Sequence, residues 1–471
     1  MDKRKIFFRA DAGAAIGYGH FIRSLALADM LKEDFDCTFF TQAPTDYQIR
    51  EASKVCRLET LPADDARFGL FLDRLYGDEI VVLDNYFYTT EYQQAIKDKG
   101  CRLVCIDDMH DKHYVADVVI NHGTDKASLL DVEPSTRLCL GLKWALLRRP
   151  FLEAAERGLS HRKADKMEKV AVCFGGSDPL DFTGRFVARL LQTSMREITA
   201  VVGDGYSPKD SLAHDARVNY RSRLSAEEMA EVFTKADAVF CSASSVCLES
   251  LACGAKVAAG WYVDNQKGFY DYLVSKNYIV GLGYMGENVL PCDERGLNSL
   301  EGKGIDGTIA PRIVTLFQDL DKGYFLREAR SSDVDLIFEW ANDPEVRKQS
   351  FHSEPIAYST HTAWFSSALQ SEDMRIYIMV SEGMPVGQVR LNLKADGTAE
   401  IGYLIAPAYR GKGFGKRIIE LVEQQARHIT GIRQMVAWVK ASNVPSCKVF
   451  EKCGYSVCRM DEEKCIFVRD L

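Results

Sequence analysis

A histidine closes a glycine-rich turn near the amino terminus, in Arg9-Ala-Asp-Ala-Gly-Ala-Ala-Ile-Gly-Tyr-Gly-His20. The apolar run 5–9 before the turn reads as a strand and the stretch 19–32 after it as a helix, so His20 falls at or near a helix N-terminus. Gly17 and Gly19 let the backbone turn tightly and approach a ligand, and the free amides of a helix start attract an anionic group. Asp11 stands at the head of the same turn and, with Gly17 and Gly19, is expected to bind the substrate. A neutral imidazole in that place can take a proton from water, which is the work of a general base. The plainer reading is a histidine that caps an ordinary turn between strand and helix.

Two further strand-to-turn switches carry small residues. Phe174-Gly175-Gly176-Ser177-Asp178 follows a strand at 169–174, and Cys241-Ser-Ala-Ser244-Ser245 follows a strand at 238–241 and opens a helix that holds Glu249. Backbone amides in such turns suit a diphosphate, and Glu249, one turn into its helix, suits ribose hydroxyls. Asp264-Asn265-Gln266 follows the next strand, at 256–260. Each loop also resembles a common βα turn, where glycine and serine abound. Taken with the His20 turn, they outline a nucleotide-sugar pocket.

A third constellation lies towards the carboxyl end. The apolar strand 400–405 precedes Arg410-Gly411-Lys412-Gly413-Phe414-Gly415, which runs into a helix. Successive amides at a helix start form an anion nest, and glycines remove the Cβ atoms that would block it. A further strand, 434–439, is followed by Asn443-Val-Pro-Ser-Cys-Lys-Val-Phe450, and Glu451-Lys-Cys-Gly-Tyr455 closes the pattern.

These residues need elements to hold them. Residues 1–150 alternate short apolar runs (5–9, 37–41, 80–83, 102–106, 118–120) with amphipathic helical stretches such as 19–32 and 90–99, the pattern of parallel βαβ units. A charged stretch, 153–169, lacks a clear apolar run and is expected to bridge two lobes. A second α/β series occupies 151–322, with strands at 169–174, 197–202, 238–241 and 256–260 and a closing helix at 311–320. From about Tyr324 the pattern becomes α+β, with a strand, a helix at 332–342, a two-strand region at 375–393 and the strand 400–405. The expected domains are 1–150, 151–322 and 323–471.

Bulk properties narrow the possibilities. A chain of 471 residues with 46% hydrophobic and 27% charged residues has material for several cores and no mark of disorder. Its apolar runs are far shorter than the roughly 20 residues a membrane helix needs, and its basic start lacks the apolar region of a signal peptide. A net charge of -8 argues against non-specific nucleic-acid binding. The 14 cysteines are scattered without a CxxC pair, which suits buried thiols in a reducing cytoplasm. Asp107-Asp108-Met109-His110 with His113 lacks a further ligand at metal spacing, so a polar loop is the better expectation and no metal is expected.

The motifs RADAGAAIGYGHFIRSLALA, LDNYFY, CIDDMH, FGGSD, SASSVCLESLACG and DNQ, spread over residues 1 to about 320, resemble the UDP-sugar hydrolases of pseudaminic acid biosynthesis, relatives of the GT-B glycosyltransferase that makes lipid II. The resemblance implies a GT-B-like pair of Rossmann-type lobes with the active site in the cleft between them. It implies metal-independent, inverting hydrolysis of UDP-2,4-diacetamido-2,4,6-trideoxy-β-L-altropyranose. His20 would activate water, Tyr86 and Asn265 would line the sugar and water site, the amides of Ser244 and Ser245 would hold the diphosphate, and Glu249 would hold the ribose. Residues 324–471 resemble the GNAT superfamily of N-acetyltransferases, whose R/Q-x-x-G-x-G/A cradle matches Arg410 to Gly415 and holds the pyrophosphate of acetyl-CoA. An amide near Leu404 or Ile405 would then face the thioester carbonyl, and Asn443 would contact the coenzyme. Many such enzymes carry a tyrosine general acid where this chain has Phe450, which leaves Tyr455, a water or an unaided thiolate. Glu400 is the candidate base, through water, or equally a solvent-facing strand residue.

In the pathway this resemblance points to, the hydrolase follows N-acetylation of the 4-amino group of UDP-4-amino-4,6-dideoxy-N-acetyl-β-L-altrosamine, so one chain would carry consecutive steps. Two rivals share the same features. One is a glycosyltransferase joined to a protein or peptide N-acetyltransferase; the other is a sensor that binds nucleotide sugar or acetyl-CoA without turnover. The sequence has no obvious docking patch for a membrane acceptor, and His20 with an intact cradle weighs against the sensor.

Overall fold

The computed structural model describes residues 3–13, 17–158, 167–175, 178, 180–193, 195–203, 206, 215–286, 296, 297, 300 and 305–471. The chain forms two compact units, Met1–Val132 with Cys139–Phe317, and Glu133–Leu138 with Gln318–Leu471.

The first unit holds two parallel-sheet, Rossmann-like lobes. In the first lobe the strands β1 (Lys5–Arg9), β2 (Asp36–Gln42), β3 (Arg57–Leu61), β4 (Ile80–Leu83), β5 (Arg102–Ile106), a short β6 (His113–Tyr114), β7 (Val118–Asn121), a short β8 (Asp131–Val132) and β9 (Arg137–Leu140) alternate with the helices α1 (Gly19–Leu31), α2 (Asp46–Ala52), α3 (Ala66–Leu72) and α4 (Thr90–Asp98). The main sheet runs β3-β2-β1-β4-β5-β7-β9. Helices on both faces explain why β4 and β7 are buried along their whole length and read as apolar runs, broken only by Asn121 at the end of β7.

Register turns this sheet into a platform for chemistry. Arg9 lies beside Leu83, Leu83 beside Cys105, and Ile106 beside Ile120. The loops that follow β1, β4, β5 and β7 therefore leave one edge together, at the carboxyl ends of the strands, where open parallel sheets collect ligands.

The second lobe repeats the plan with β10 (Lys169–Cys173), β11 (Glu197–Val202), β12 (Val218–Ser222), β13 (Ala238–Ser242), β14 (Lys256–Trp261) and β15 (Val280–Tyr284), in the order β12-β11-β10-β13-β14-β15. Cys173 pairs with Cys241 and Ser242 with Gly260, so its three small-residue loops also share an edge. The helices are α5 (Arg149–Glu156), α6 (Phe182–Leu190), α7 (Ala226–Lys235), α8 (Ser245–Ala252), α9 (Asp264–Ser275) and α10 (Ile309–Lys322). The expected charged bridge from residue 153 is corrected at its start: Phe151, Leu152, Ala154 and Ala155 are the buried face of α5. Residues 159–166 of that stretch lie outside the described residues.

The second unit is α+β, with β16 (Tyr324–Glu328), β17 (Met374–Ser381), β18 (Met384–Leu393), β19 (Thr398–Ile405), β20 (Gln434–Lys440), β21 (Ser456–Met460) and β22 (Lys464–Asp470) in the order β16-β17-β18-β19-β20-β22-β21. Its helices are α11 (Val334–Ala341), α12 (Pro344–Gln349), α13 (Tyr358–Gln370), α14 (Phe414–Arg427) and α15 (Val444–Lys452). The parallel pair β19 and β20 is bonded only from Thr398 to Ile401 against Gln434 to Ala437, and beyond that the strands part. Ile418, Ile419 and Val422 of α14 pack on Val389, Leu391 and Ile401, forming the core behind that gap. Among the described residues no helix is long and apolar enough to cross a membrane.

Candidate active sites

His20 is the second residue of α1 and is 6% exposed. Its Nδ1 lies 2.7 Å from Asp84 Oδ1, just past the end of β4. Asp84 is fully enclosed and also accepts from Arg23 Nε at 2.7 Å and from Ser24 Oγ at 2.9 Å. Burial by itself would raise this carboxyl, but Arg23 and His20 outweigh it and hold Asp84 at about 2. Asp84 is thus an ionised acceptor, Nδ1 is the donor, and the lone pair falls on Nε2.

The network continues outward. Arg23 Nη1 donates to Asp108 Oδ2 at 2.8 Å, tying the end of β4 to the loop after β5. The Tyr86 ring stands edge-on to His20, with centroids 4.7 Å apart. Its hydroxyl donates to Asp108 Oδ2 at 3.4 Å and receives Asn265 Nδ2 at 3.5 Å. Burial, then Asp108, raises the Tyr86 pKa, so the hydroxyl keeps its proton. His20, Tyr86 and Asn265, singled out separately in the sequence, form one chain of contacts from the first lobe to the first turn of α9. Asp84, Arg23 and Ser24 were not singled out, and Asp108 was weighed only as part of a metal loop. The signal for two of them was present, since Arg23 and Ser24 stand three and four residues after His20 and share its helix face.

Asp11 takes a different part from the one expected. Its carboxylate is wholly buried, is paired with Arg9, and accepts from Gln42 N at 2.8 Å, while its own amide donates to Asn85 Oδ1 at 2.7 Å. With that set of partners it anchors the turn instead of facing a ligand. Gly17 holds φ +81° and pairs with Gly13, which closes the turn, and Gly19 opens α1 with free space where a Cβ would stand.

In the second lobe Gly175 holds φ +92° beside open space, while Gly176 and Ser177 lie outside the described residues. Asp178 accepts from the amides of Phe182 and Thr183 at 2.8 and 2.7 Å, so it satisfies the first two amides of α6, whose N-cap is Asp181. Ser244 is the N-cap residue of α8 but makes no side-chain bond to it, and no acidic residue occupies the first turn, whose first residue Ser245 is exposed. That helix start suits an anion. Glu249, 4% exposed, takes Arg148 Nε at 2.8 Å and Nη2 at 2.7 Å. Burial raises the Glu249 carboxyl and Arg148 opposes the rise. Gln266 Oε1 accepts from Tyr262 N at 3.2 Å, bracing the turn that leads into α9.

In the second unit Gly411 and Gly413 hold φ +74° and +85°, a region that costs other residues strain, and neither would meet an atom within 4 Å at its Cβ. Gly413 is the N-cap of α14, which has no side-chain cap and no acidic residue in its first turn. Phe414 turns into the core, Lys412 lies over the Tyr409 ring, and Arg410 is drawn back onto Ile405 O at 3.1 Å and Asp343 Oδ1 at 2.6 Å. The helix start is uncapped and the space beside Gly411 and Gly413 is open, an arrangement whose amides suit a diphosphate. Leu404 and Ile405 lie in the part of β19 that has left β20, so their backbone is not paired on that side. Asn443 caps α15 through Ser446 N at 3.2 Å.

Two candidates for proton transfer fare unequally. Glu400 is one-third exposed, sits opposite Asn392 across β18 and β19, and pairs with Lys394 at 3.2 Å. Tyr455 lies in the core with its hydroxyl on Met435 Sδ at 3.7 Å, away from the gap between the strands, and burial raises its pKa. The sequence reading passed over Tyr403, on the parted end of β19, whose hydroxyl is 3.1 Å from Ser446 Oγ. Among the described residues no group of three or more His, Cys, Asp or Glu is arranged to hold a metal ion.

Residues 324–456 match the family model of the acetyltransferase (GNAT) domain. An uncharacterised protein of Methanocaldococcus jannaschii is 24% identical over 98% of both chains. A UDP-2,4-diacetamido-2,4,6-trideoxy-β-L-altropyranose hydrolase of Campylobacter jejuni is 24% identical over 59% of this chain and 100% of its own length. The acetyltransferase PseH of the same bacterium is 20% identical over 29% of this chain and 84% of its own. The chain thus combines a GNAT acetyltransferase domain with homology to a UDP-sugar hydrolase.

Proposed function

We propose that this is a cytoplasmic bifunctional enzyme whose first unit hydrolyses UDP-2,4-diacetamido-2,4,6-trideoxy-β-L-altropyranose to the free sugar and UDP. The observation that carries this reading is the His20–Asp84 pair, because it leaves Nε2 as the base in the cleft that Tyr86 and Asn265 line. The water oxygen attacks the anomeric carbon on the face opposite UDP, and its proton passes to His20 Nε2. The bond from that carbon to the diphosphate oxygen breaks, its electron pair leaves on UDP, and the sugar inverts. Asp84 steadies the imidazolium as it forms. The amides at Ser244 and Ser245, with Gly175, Gly176 and Ser177, take the diphosphate charge, and Glu249 takes the ribose. With its charge held by amides, UDP leaves readily and no metal is required.

The second unit, in this reading, acetylates the 4-amino group of UDP-4-amino-4,6-dideoxy-N-acetyl-β-L-altrosamine with acetyl-CoA. The open glycine turn at Gly411 to Gly415 would hold the coenzyme pyrophosphate, the amide of Leu404 or Ile405 would face the thioester carbonyl, and Asn443 would contact the coenzyme. Glu400, through water, would take the proton the amine loses. The choice of acceptor is supported by the fact that the two Campylobacter relatives are separate proteins, whereas this chain has similarity to both. Acetylation would then make the very sugar nucleotide that the other unit consumes.

One experiment tests both halves. The 4-amino UDP-sugar and acetyl-CoA are mixed with the purified chain and followed by NMR. The expected sequence is a new acetamide methyl signal, then UDP and the inverted free sugar. An untouched amine would overturn the acceptor, and a diacetamido product that keeps its UDP would overturn the hydrolase.

A further inference from the structure

His122, immediately after β7, emerges on the same sheet edge as His20, Asp84 and Asp108. Its side chain is partly buried, its Nδ1 is enclosed, and neither ring nitrogen has a hydrogen-bond partner among the described residues. The charged groups that face it are Arg23 on α1, Asp84 after β4 and Asp108 after β5. From the other lobe it meets Phe269 of α9, with ring centroids 5.8 Å apart, and a Cβ on the adjacent Gly123 would stand 3.6 Å from that phenyl ring. The imidazole therefore lies between the His20 cluster and the helix whose first turn carries Asn265.

We infer that His122 is a substrate-reading residue of the hydrolytic site, an uncharged imidazole that hydrogen-bonds an uncharged substituent of the bound sugar, an acetamido or hydroxyl group. This rests on the hydrolase reading above. Nδ1 is closed off from any ligand, so Nε2 is the ring nitrogen left to meet one, and a ligand that supplies its bond satisfies a polar group that has no partner among the described residues. Proton transfer does not suit this histidine. Burial, aided by Arg23 and opposed by Asp108 and Asp84, lowers it to about 4, so at neutral pH it has no proton to give and accepts one poorly. His20, whose Nδ1 is committed to Asp84, already supplies the base. An imidazole beside a guanidinium stays neutral, and a neutral ring offers one donor and one acceptor, which matches an amide or hydroxyl better than a phosphate.

The test compares His122→Leu and His122→Gln in the full-length protein, with UDP release from the diacetamido UDP-sugar as readout. His122→Leu is expected to raise KM about tenfold, the loss of one hydrogen bond to an uncharged group, with kcat within about threefold of wild type. His122→Gln, which keeps a donor and an acceptor, is expected to recover most of the KM. Inhibition by free UDP and the pH profile of kcat are expected not to move, and acetyl transfer by the second unit with the thermal melt reports that the variants are folded. A leucine variant with wild-type KM, a shifted pH profile, or an equal loss of UDP inhibition would overturn the assignment while the hydrolase reading stands. A wild-type chain that releases no UDP would overturn both.

Discussion

His20 Nδ1 and Asp84 Oδ1 lie 2.7 Å apart, and Arg23 reaches the same carboxylate from one turn further along α1. The aspartate thus serves two cations, one fixed and one that exists only when His20 takes a proton. Asp84→Asn keeps the shape but allows the amide to donate to Nδ1, which favours the wrong tautomer. UDP release should fall by about 10² to 10⁴ with little change in UDP inhibition, and His20→Ala should fall at least as far. Steady-state kinetics of the two variants decide the point; equal activity of Asp84→Asn and wild type would remove the tautomer argument.

The same carboxylate sets an acid limit on the fold. Asp84 is held at about 2 in the native state against 3.8 as a free side chain. A lowered pKa means that the unfolded chain binds the proton first, so the stabilisation is present above about 4 and is lost as pH falls towards 2. The contribution is roughly 2 kcal/mol. Thermal melts between pH 5 and 2 should show wild type losing that increment and Asp84→Asn showing a flatter decline over the same window.

Arg148 and Glu249 make the corresponding test of the nucleotide end. The carboxylate is buried and its charge is balanced by the guanidinium at 2.7 Å. If it binds ribose hydroxyls, Glu249→Gln should raise KM and the UDP inhibition constant together, by about tenfold, with kcat nearly unchanged. Arg148→Ala strands a buried carboxylate, so it should weaken UDP and also lower the melting temperature. Calorimetric titration with UDP separates the two outcomes.

Much of this arrangement was legible because the physics is local. β4 is an unbroken apolar run and β5 is one after Arg102, and a glycine-rich turn between strand and helix is written in consecutive letters. What escaped depends on register or on an edge. β3, Arg-Leu-Glu-Thr-Leu, lies at the end of its sheet and mixes polar with apolar residues without a clean period, and all of β21 is exposed. α13 has no clean stripe because its buried face includes His361. Asp84 meets His20 across 64 residues only because β1 and β4 run parallel in register. Asp11 was drawn towards a ligand because a carboxylate in a glycine turn looks the same whether it faces solvent or is enclosed by Arg9.

The acetyl-transfer cradle can be tested apart from the rest. Gly413 has φ +85° and open space at its Cβ, so alanine there strains the backbone by about 1–2 kcal/mol and puts a methyl group where the coenzyme phosphates would lie. Gly413→Ala should raise the KM for acetyl-CoA tenfold or more, measured by thiol release, and leave UDP release untouched. A fall in both activities would point to unfolding instead.

Tyr403 is a testable candidate for the general acid of the second unit. Phe450 offers no proton, and Tyr455 is sealed in the core against Met435. Tyr403 instead stands on the part of β19 that has left β20, its hydroxyl 3.1 Å from Ser446 Oγ, with Ser446 N held by Asn443. A Cβ on Gly415 would lie 3.7 Å from that hydroxyl, so it sits where the cradle helix and α15 meet. Burial raises the Tyr403 pKa, with Ser446 opposing, which keeps the proton available to a departing thiolate. Tyr403→Phe should therefore lower kcat for acetyl transfer by about 10- to 100-fold, leave the KM for acetyl-CoA within about threefold, and abolish the alkaline limb of the pH profile. A merely structural hydroxyl would act otherwise, lowering the melting temperature and raising KM while the alkaline limb stayed in place.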